Sequence, residues 1–168
     1  GVDFKEALKI LAERAGVELV PEDPKKRSER DNLFLLLETA TKFFSGKLSG
    51  KSDAIDYLEK RALKKETLAA WQIGYAPGPP SGGWRELRNY LKEKNFTDKE
   101  MFAAGLVKDA GEGKEPYDAF RDRIMFPIFD ASGKVIAYSG RILAKDSEAP
   151  KYVNSPETEL FNKSQVLY

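Results

Sequence analysis

The apolar residues of this chain keep a helical rhythm for its first two-thirds, then change to a strand-like alternation just after Gly105. A 3.6-residue period buries one stripe of a helix and a two-residue period buries one face of a strand, so the switch predicts helices first and a sheet last. Before the switch, Asp3 and Glu6 offer a capping-box start to a helix that carries Phe4, Leu8, Leu11 and Ala15 on one face and stops at Gly16. Residues 21–27 read as a polar linker with two prolines. Ser28 can cap a second helix bearing Leu33, Leu36, Leu37, Ala40 and Phe44, broken between Gly46 and Gly50. Shorter helices are expected over about 52–61 (Ile55, Leu58, Ala62) and 65–71, followed by a short segment at 73–77. After a Gly/Pro loop at 78–83, Trp84, Leu87, Tyr90 and Leu91 mark an amphipathic helix, and Thr97 with Glu100 caps another.

Past the switch, a charged loop over 109–115 leads to apolar runs at 124–128 and 134–142. They flank Asp130-Ala131-Ser132-Gly133, which has the composition of a hairpin loop. Pro127 donates no ladder hydrogen bond, so it predicts an edge or a bulge. Residues 157–167 are expected to begin a helix. The expected fold class is α+β: a helix-rich amino-terminal two-thirds, then a small, largely antiparallel sheet. The 168 residues, 41% of them apolar, suffice for a single domain over 1–168, helical to about 108 and β-rich from about 109.

The chain contains neither His nor Cys. That removes the usual zinc sites, the Ser-His-Asp triad and thiol chemistry, leaving carboxylates, Lys, Tyr, Ser and Thr for any reaction. No apolar run approaches the roughly 18 residues of a membrane span, and a cytoplasmic location is the expectation. Net charge is +1, and between residues 116 and 168 seven cations meet seven acids. A basic face must therefore come from geometry, with cations on one side and acids on another.

Several segments invite a chemical reading. Gly46-Lys47-Leu48-Ser49-Gly50-Lys51-Ser52 has one residue too few between its glycines for a phosphate loop and follows a helix, so it reads as an interhelical loop. Arg121 and Arg123 alternate, which in a strand puts both on one face, either as a solvated pair balanced by Asp118 and Asp122 or as phosphate ligands. Arg141 follows Gly140, where the absent side chain lets a backbone or ligand approach. Lys151, Tyr152 and Asn154 combine a charge, a stacking ring and an amide able to read a base or sugar edge. Extended backbone would put Tyr152 and Asn154 together and Lys151 opposite, unless Pro150 bends the chain. Arg61 ends a predicted helix, where a cation suits the dipole in any case. Asp53 with Asp56, and Glu157 with Glu159, sit near expected helix starts and make no convincing metal cluster.

Taken in order, the segments R-x-R-I-M-F-P-I at 121–128, G-R-I-L at 140–143 and P-K-Y-x-N-S-P-E-T at 150–158 resemble bacterial-type DNA primases, in the amino-terminal part of their RNA-polymerase core. The stretches at 6–16, 56–61 and 73–77 resemble the same family, so the likeness covers nearly the whole chain. The resemblance implies a parent protein that synthesises RNA primers on single-stranded DNA during replication. This part would supply one wall of the polymerase groove, binding template and nucleoside triphosphates through Arg61, Arg121, Arg123, Arg141, Lys151, Tyr152 and Asn154. It implies no catalytic residue and no cofactor here. Mg2+ or Mn2+ would sit in a Toprim segment beyond Tyr168 and Zn2+ in a module before Gly1, leaving the fragment inactive alone. A replicative helicase would be engaged through absent segments. Two alternatives stand beside this: a single-stranded-DNA-binding or adaptor module of a phage or plasmid replication protein, and a sheet that merely docks on a catalytic neighbour.

Overall fold

The computed structural model describes residues 4–16, 23–80, 82–144 and 148–164. The expected cap at Asp3, the first residues of the polar linker, residues 165–167 of the expected last helix, and the Phe4 and Leu8 side chains lie outside the described residues. Helix α1 (Phe4–Ala15) stops at Gly16, whose φ of +64° is a left-handed conformation that glycine adopts freely. Helix α2 (Pro24–Leu48) departs from expectation at both ends. It starts before Ser28, because Asp23 Oδ1 accepts the Lys25 N–H at 2.9 Å and Pro24 occupies the first position, where a missing N–H costs nothing. It also continues through Gly46. One glycine costs a helix about 1 kcal/mol, and the buried Phe43, Phe44 and Leu48 side chains outweigh that.

Helices α3 (Ser52–Glu59) and α4 (Lys65–Ala70) follow close to their expected bounds. Strand β1 (Gly74–Ala76) then arises within the part expected to be helical. Helix α5 (Glu86–Glu93) precedes α6 (Asp98–Ala103), where the capping box forms as expected: Thr97 Oγ1 accepts the Glu100 N–H and Glu100 Oε2 accepts the Thr97 N–H. Strands β2 (Val107–Lys108) and β3 (Tyr117–Asp118) make a two-stranded ribbon around the charged loop. Strands β4 (Arg123–Phe129), β5 (Val135–Ile142) and β6 (Tyr152–Asn154) join β1 in an antiparallel sheet of order β1-β4-β5-β6.

The β4–β5 hairpin loop closes on Asp130, whose Oδ1 accepts the N–H groups of Ser132 (2.8 Å) and Lys134 (3.0 Å). Pro127 behaves as its chemistry requires. β1 accompanies β4 only as far as Met125, so β4 is an edge at Pro127, and the register with β5 slips just beyond, between Ile128 and Phe129. Residues 157–164 form no helix, contrary to expectation. The Thr158 hydroxyl accepts the Leu160 (3.2 Å) and Phe161 (3.1 Å) N–H groups instead, a turn that seats Phe161 in the core.

Register divides the sheet into two faces. On one, Gly74, Met125, Gly140 and Val153 form a row across all four strands, covered by the Leu36, Leu37, Ala40 and Phe44 side of α2. A Cβ on Gly74 would lie 2.5 Å from the Phe44 backbone, so this glycine lets helix and strand touch. On the other, Tyr75, Ile124, Arg141 and Tyr152 form the adjacent row, and α3 and α4 cover its first half through Leu58 and Leu68.

Candidate nucleic-acid interface

Along the Tyr75–Ile124–Arg141–Tyr152 row the cover runs out. Tyr75 and Ile124 are buried, Arg141 is half-buried, and Tyr152 is 55% exposed. The next row on the same face repeats the trend, from half-buried Phe126 and Ser139 to exposed Asn154. The helices α3 and α4 thus leave β6 and the end of β5 open. Arg141 and Tyr152 are direct cross-strand partners there, so a cation and a ring share one patch of the open face.

The boundary of the cover is aromatic. Tyr57 on α3 presents its ring to the Arg141 guanidinium at 4.1 Å from the centroid, and the Arg61 guanidinium lies 4.7 Å from the same centroid. Arg141 Nη1 donates to the Ile142 carbonyl at 3.1 Å, whereas its buried Nε has no hydrogen-bond partner among the described residues. Lys151 is exposed, with Nζ 5.9 Å from the Tyr152 ring centroid. The Ile142 N–H donates to the Lys151 carbonyl at 3.0 Å, so the backbone at Lys151 continues the ladder one place beyond the Arg141–Tyr152 pair. Among the described residues, no carboxylate pairs with Arg61, Arg141 or Lys151.

Arg121 and Arg123 do not share a face, which corrects the expectation drawn from their spacing. Asp122 between them has a φ of +51°, and its carboxylate accepts the Tyr75 hydroxyl. This left-handed corner precedes β4 and breaks the alternation. Arg121 remains at the surface, its guanidinium 4.6 Å from the Trp84 ring and 4.7 Å from Tyr117, with Nη1 donating to the Asp118 carbonyl. Arg123 is 5% exposed and turns inward over Gly140. Its Nη1 donates to the carbonyls of Pro150 (2.8 Å), Gly140 (3.3 Å) and Lys151 (3.4 Å), and burial pulls its pKa below the ordinary value. Geometry makes Arg123 a clamp that holds the start of β6 against the sheet. The close approach expected at Gly140 is likewise filled from within, by Phe120 and the Arg123 stem.

Arg121 rests on a corner that sequence reasoning did not find. Helix α5 has no side-chain cap of its own; instead the buried Asp118 carboxylate accepts the Leu87 and Arg88 N–H groups, both at 2.9 Å. Burial raises the Asp118 pKa to about 6, although those two bonds oppose the rise. Arg88, 3% exposed, grips Asp98 through two bonds of 2.7 and 3.0 Å, which hold the Asp98 pKa down at about 2. Sequence reasoning does not single out Tyr57 either, although it stands four residues before Arg61, which the structure places in the turn just past α3. Among the described residues, no group of three or more His, Cys, Asp or Glu side chains could hold a metal ion, so these residues do not fit one.

Residues 43–168 match the family described as DNA primase catalytic core, N-terminal domain. The DNA primase of Pseudomonas putida is 40% identical over 175 aligned positions, covering 99% of this chain and 26% of that protein. The chain spans about a quarter of the length of the curated relatives it matches. The RNA polymerase domain of Mycobacterium tuberculosis primase, solved with a double-stranded DNA oligomer carrying a 6-nucleotide overhang, superposes with a TM-score of 0.73 at 32% identity, covering 80% of this chain and 41% of that one. A DnaG primase catalytic domain bound to single-stranded DNA gives 0.66 at 35% identity, over 81% of this chain and 41% of that one.

Proposed function

Since this chain belongs to the DNA primase family, as the amino-terminal domain of the catalytic core, we propose that it forms a template- and nucleotide-binding wall in an enzyme that makes RNA primers on single-stranded DNA. The open end of the sheet carries this role. Arg61, Arg141 and Lys151 hold phosphate oxygens, the two arginines as forked donors and the lysine as a mobile point charge. The exposed Tyr152 ring stacks on a base, and Asn154, on the same face, hydrogen-bonds a base or sugar edge. Arg121 extends the charge toward Trp84, and Arg123 acts indirectly by fixing the strand that bears Lys151 and Tyr152.

The observation that carries this reading is the register pairing of Arg141 with Tyr152 at the uncovered end of the sheet, with no described carboxylate neutralising the cations around it. Relatives solved with DNA support the choice of ligand. The residues described here bind and orient. The Mg2+ or Mn2+ of nucleotidyl transfer belongs to a Toprim segment of the parent enzyme, and Zn2+ to a separate module, so the chain alone makes no primer. A helicase partner belongs to the parent's other segments in the same way, and the parent works in the cytoplasm.

The test is to place Arg141→Ala and Lys151→Ala in a protein that joins this domain to the rest of a primase core. Template-dependent primer synthesis falls while the melting temperature of the isolated chain stays unchanged. Undiminished synthesis removes both residues from the groove, and a chain that binds oligonucleotide but supports no synthesis in any primase core is the stand-alone binding module instead.

A further inference from the structure

We propose that Tyr57 is a positioning residue that holds the Arg61 and Arg141 guanidinium groups as a pair, ready to receive two linked phosphate groups. The inference rests on the binding wall proposed above and adds to it the device that shapes its cationic centre. Both guanidinium carbons lie within 5 Å of one ring centroid, at 4.1 and 4.7 Å, so the two charges are less than a nanometre apart. That spacing is comparable with the Debye length of roughly 8 Å at physiological salt, and salt alone does not screen their repulsion.

A pair of like charges usually draws in a carboxylate. Here no described carboxylate pairs with either arginine. The ring is the contact the two share, and its electron-rich face attracts each cation. It also orients Arg141. Of the five N–H donors of a guanidinium, the described bonds of Arg141 employ only Nη1, toward the Ile142 carbonyl, and its buried Nε is left without a partner. A guanidinium held beside a ring, with its Nη2 donors unspent among the described bonds, is pre-organised to receive an anion. The ring is itself held, since Tyr57 packs against the apolar cluster of Leu48, Leu58, Leu68 and Ile124.

The ligand chemistry is two phosphates joined by short covalent links. A polynucleotide backbone and a nucleoside triphosphate both offer it, and two probes separate them: labelled oligo(dT) and ATP, each titrated against the chain over a range of salt. Tyr57→Leu and Tyr57→Met keep apolar bulk and remove the π face; Tyr57→Phe keeps the face. The Leu and Met variants weaken binding of one probe or both by about three- to thirty-fold. They also flatten the salt dependence by about one unit of log–log slope. Tyr57→Phe restores both readouts, and the melting temperatures agree. Loss for oligo(dT) alone assigns the pair to backbone phosphates, and loss for ATP alone assigns it to the triphosphate.

Wild-type affinity and slope in Tyr57→Leu, beside weakened binding in Arg141→Ala, overturns this inference and leaves the binding wall standing. Unchanged binding in Arg141→Ala overturns both. Equal losses in the Phe and Leu variants, or Leu and Met variants that no longer fold, show a hydroxyl or a packing role and overturn the positioning role.

Discussion

Arg123 and Arg141 look alike in the sequence and stand in opposite settings, one buried among backbone carbonyls and the other beside the Tyr57 ring at the open end of the sheet. Arg123 donates from Nη1 to three backbone carbonyls and lies over Gly140. Its replacement by Ala frees the start of β6 and is expected to cost about 2–4 kcal/mol in a denaturant melt, with weaker oligonucleotide binding as a consequence. Arg141→Ala should do the reverse, changing binding and its salt dependence but not the melt. Gly140→Ala would put a Cβ 2.9 Å from Phe120 and 3.1 Å from the Arg123 stem, an overpacking expected to cost about 1–3 kcal/mol by the same measurement. The sequence showed that something must approach Gly140 closely, but not that the visitor is the chain's own arginine. The alternation rule failed at Arg121 and Arg123 because one left-handed residue, Asp122, intervenes, and nothing in Arg-Asp-Arg announces a positive φ.

Elements with strong local signals were legible: the Thr97 capping box, the Asp130 hairpin loop and the Gly16 stop stand where their residues predict. Those decided by distant contacts were not. β1 is a strand because β4 pairs with it and α2 presses on Gly74, and its three residues are too few to show a period. Residues 157–164 carry helix-compatible residues, yet the Thr158 turn and the Phe161 anchor win. The join of α2 to the sheet shows the same long-range control. The buried Tyr138 hydroxyl donates to the Leu37 carbonyl at 2.7 Å and meets Thr41 Oγ1 at 2.7 Å, and burial raises its pKa well above that of a free phenol. Tyr138→Phe is expected to lower stability by about 1–2 kcal/mol, since the hydroxyl is lost and its partners stay buried. Calorimetry would check it, and an unchanged melting temperature would mean that the bond contributes nothing net.

The whole molecule carries two carboxylates with opposed pH behaviour. Asp118 has a folded pKa of about 6, above its unfolded value, so its contribution is complete below about pH 4 and is lost as pH rises toward 6. Asp98, at about 2, contributes above about pH 4 and loses that contribution as pH falls toward 2. Stability measured across pH 2–7 should therefore show an acid limb to which Asp98 contributes beside Glu86, Glu100 and Asp130, whose hydrogen bonds also hold their pKa values down, and, between pH 4 and 6, a decline that Asp118→Asn abolishes. A decline that persists in Asp118→Asn would assign it to another group. The α+β class, the helical first part and the late hairpin were all legible in the sequence, as was the family. Which cations gather was not, because charge counting gives zero for residues 116–168 and the gathering depends on where α3 stops covering the sheet. The most direct measurement of that gathering is a titration of labelled oligo(dT) against the chain and its Arg141→Ala/Lys151→Ala variant at low and physiological salt. The chain should bind at low salt, more weakly as salt rises, and the variant more weakly still with a shallower slope. Absence of binding at low salt, or equal binding by chain and variant, would contradict the account.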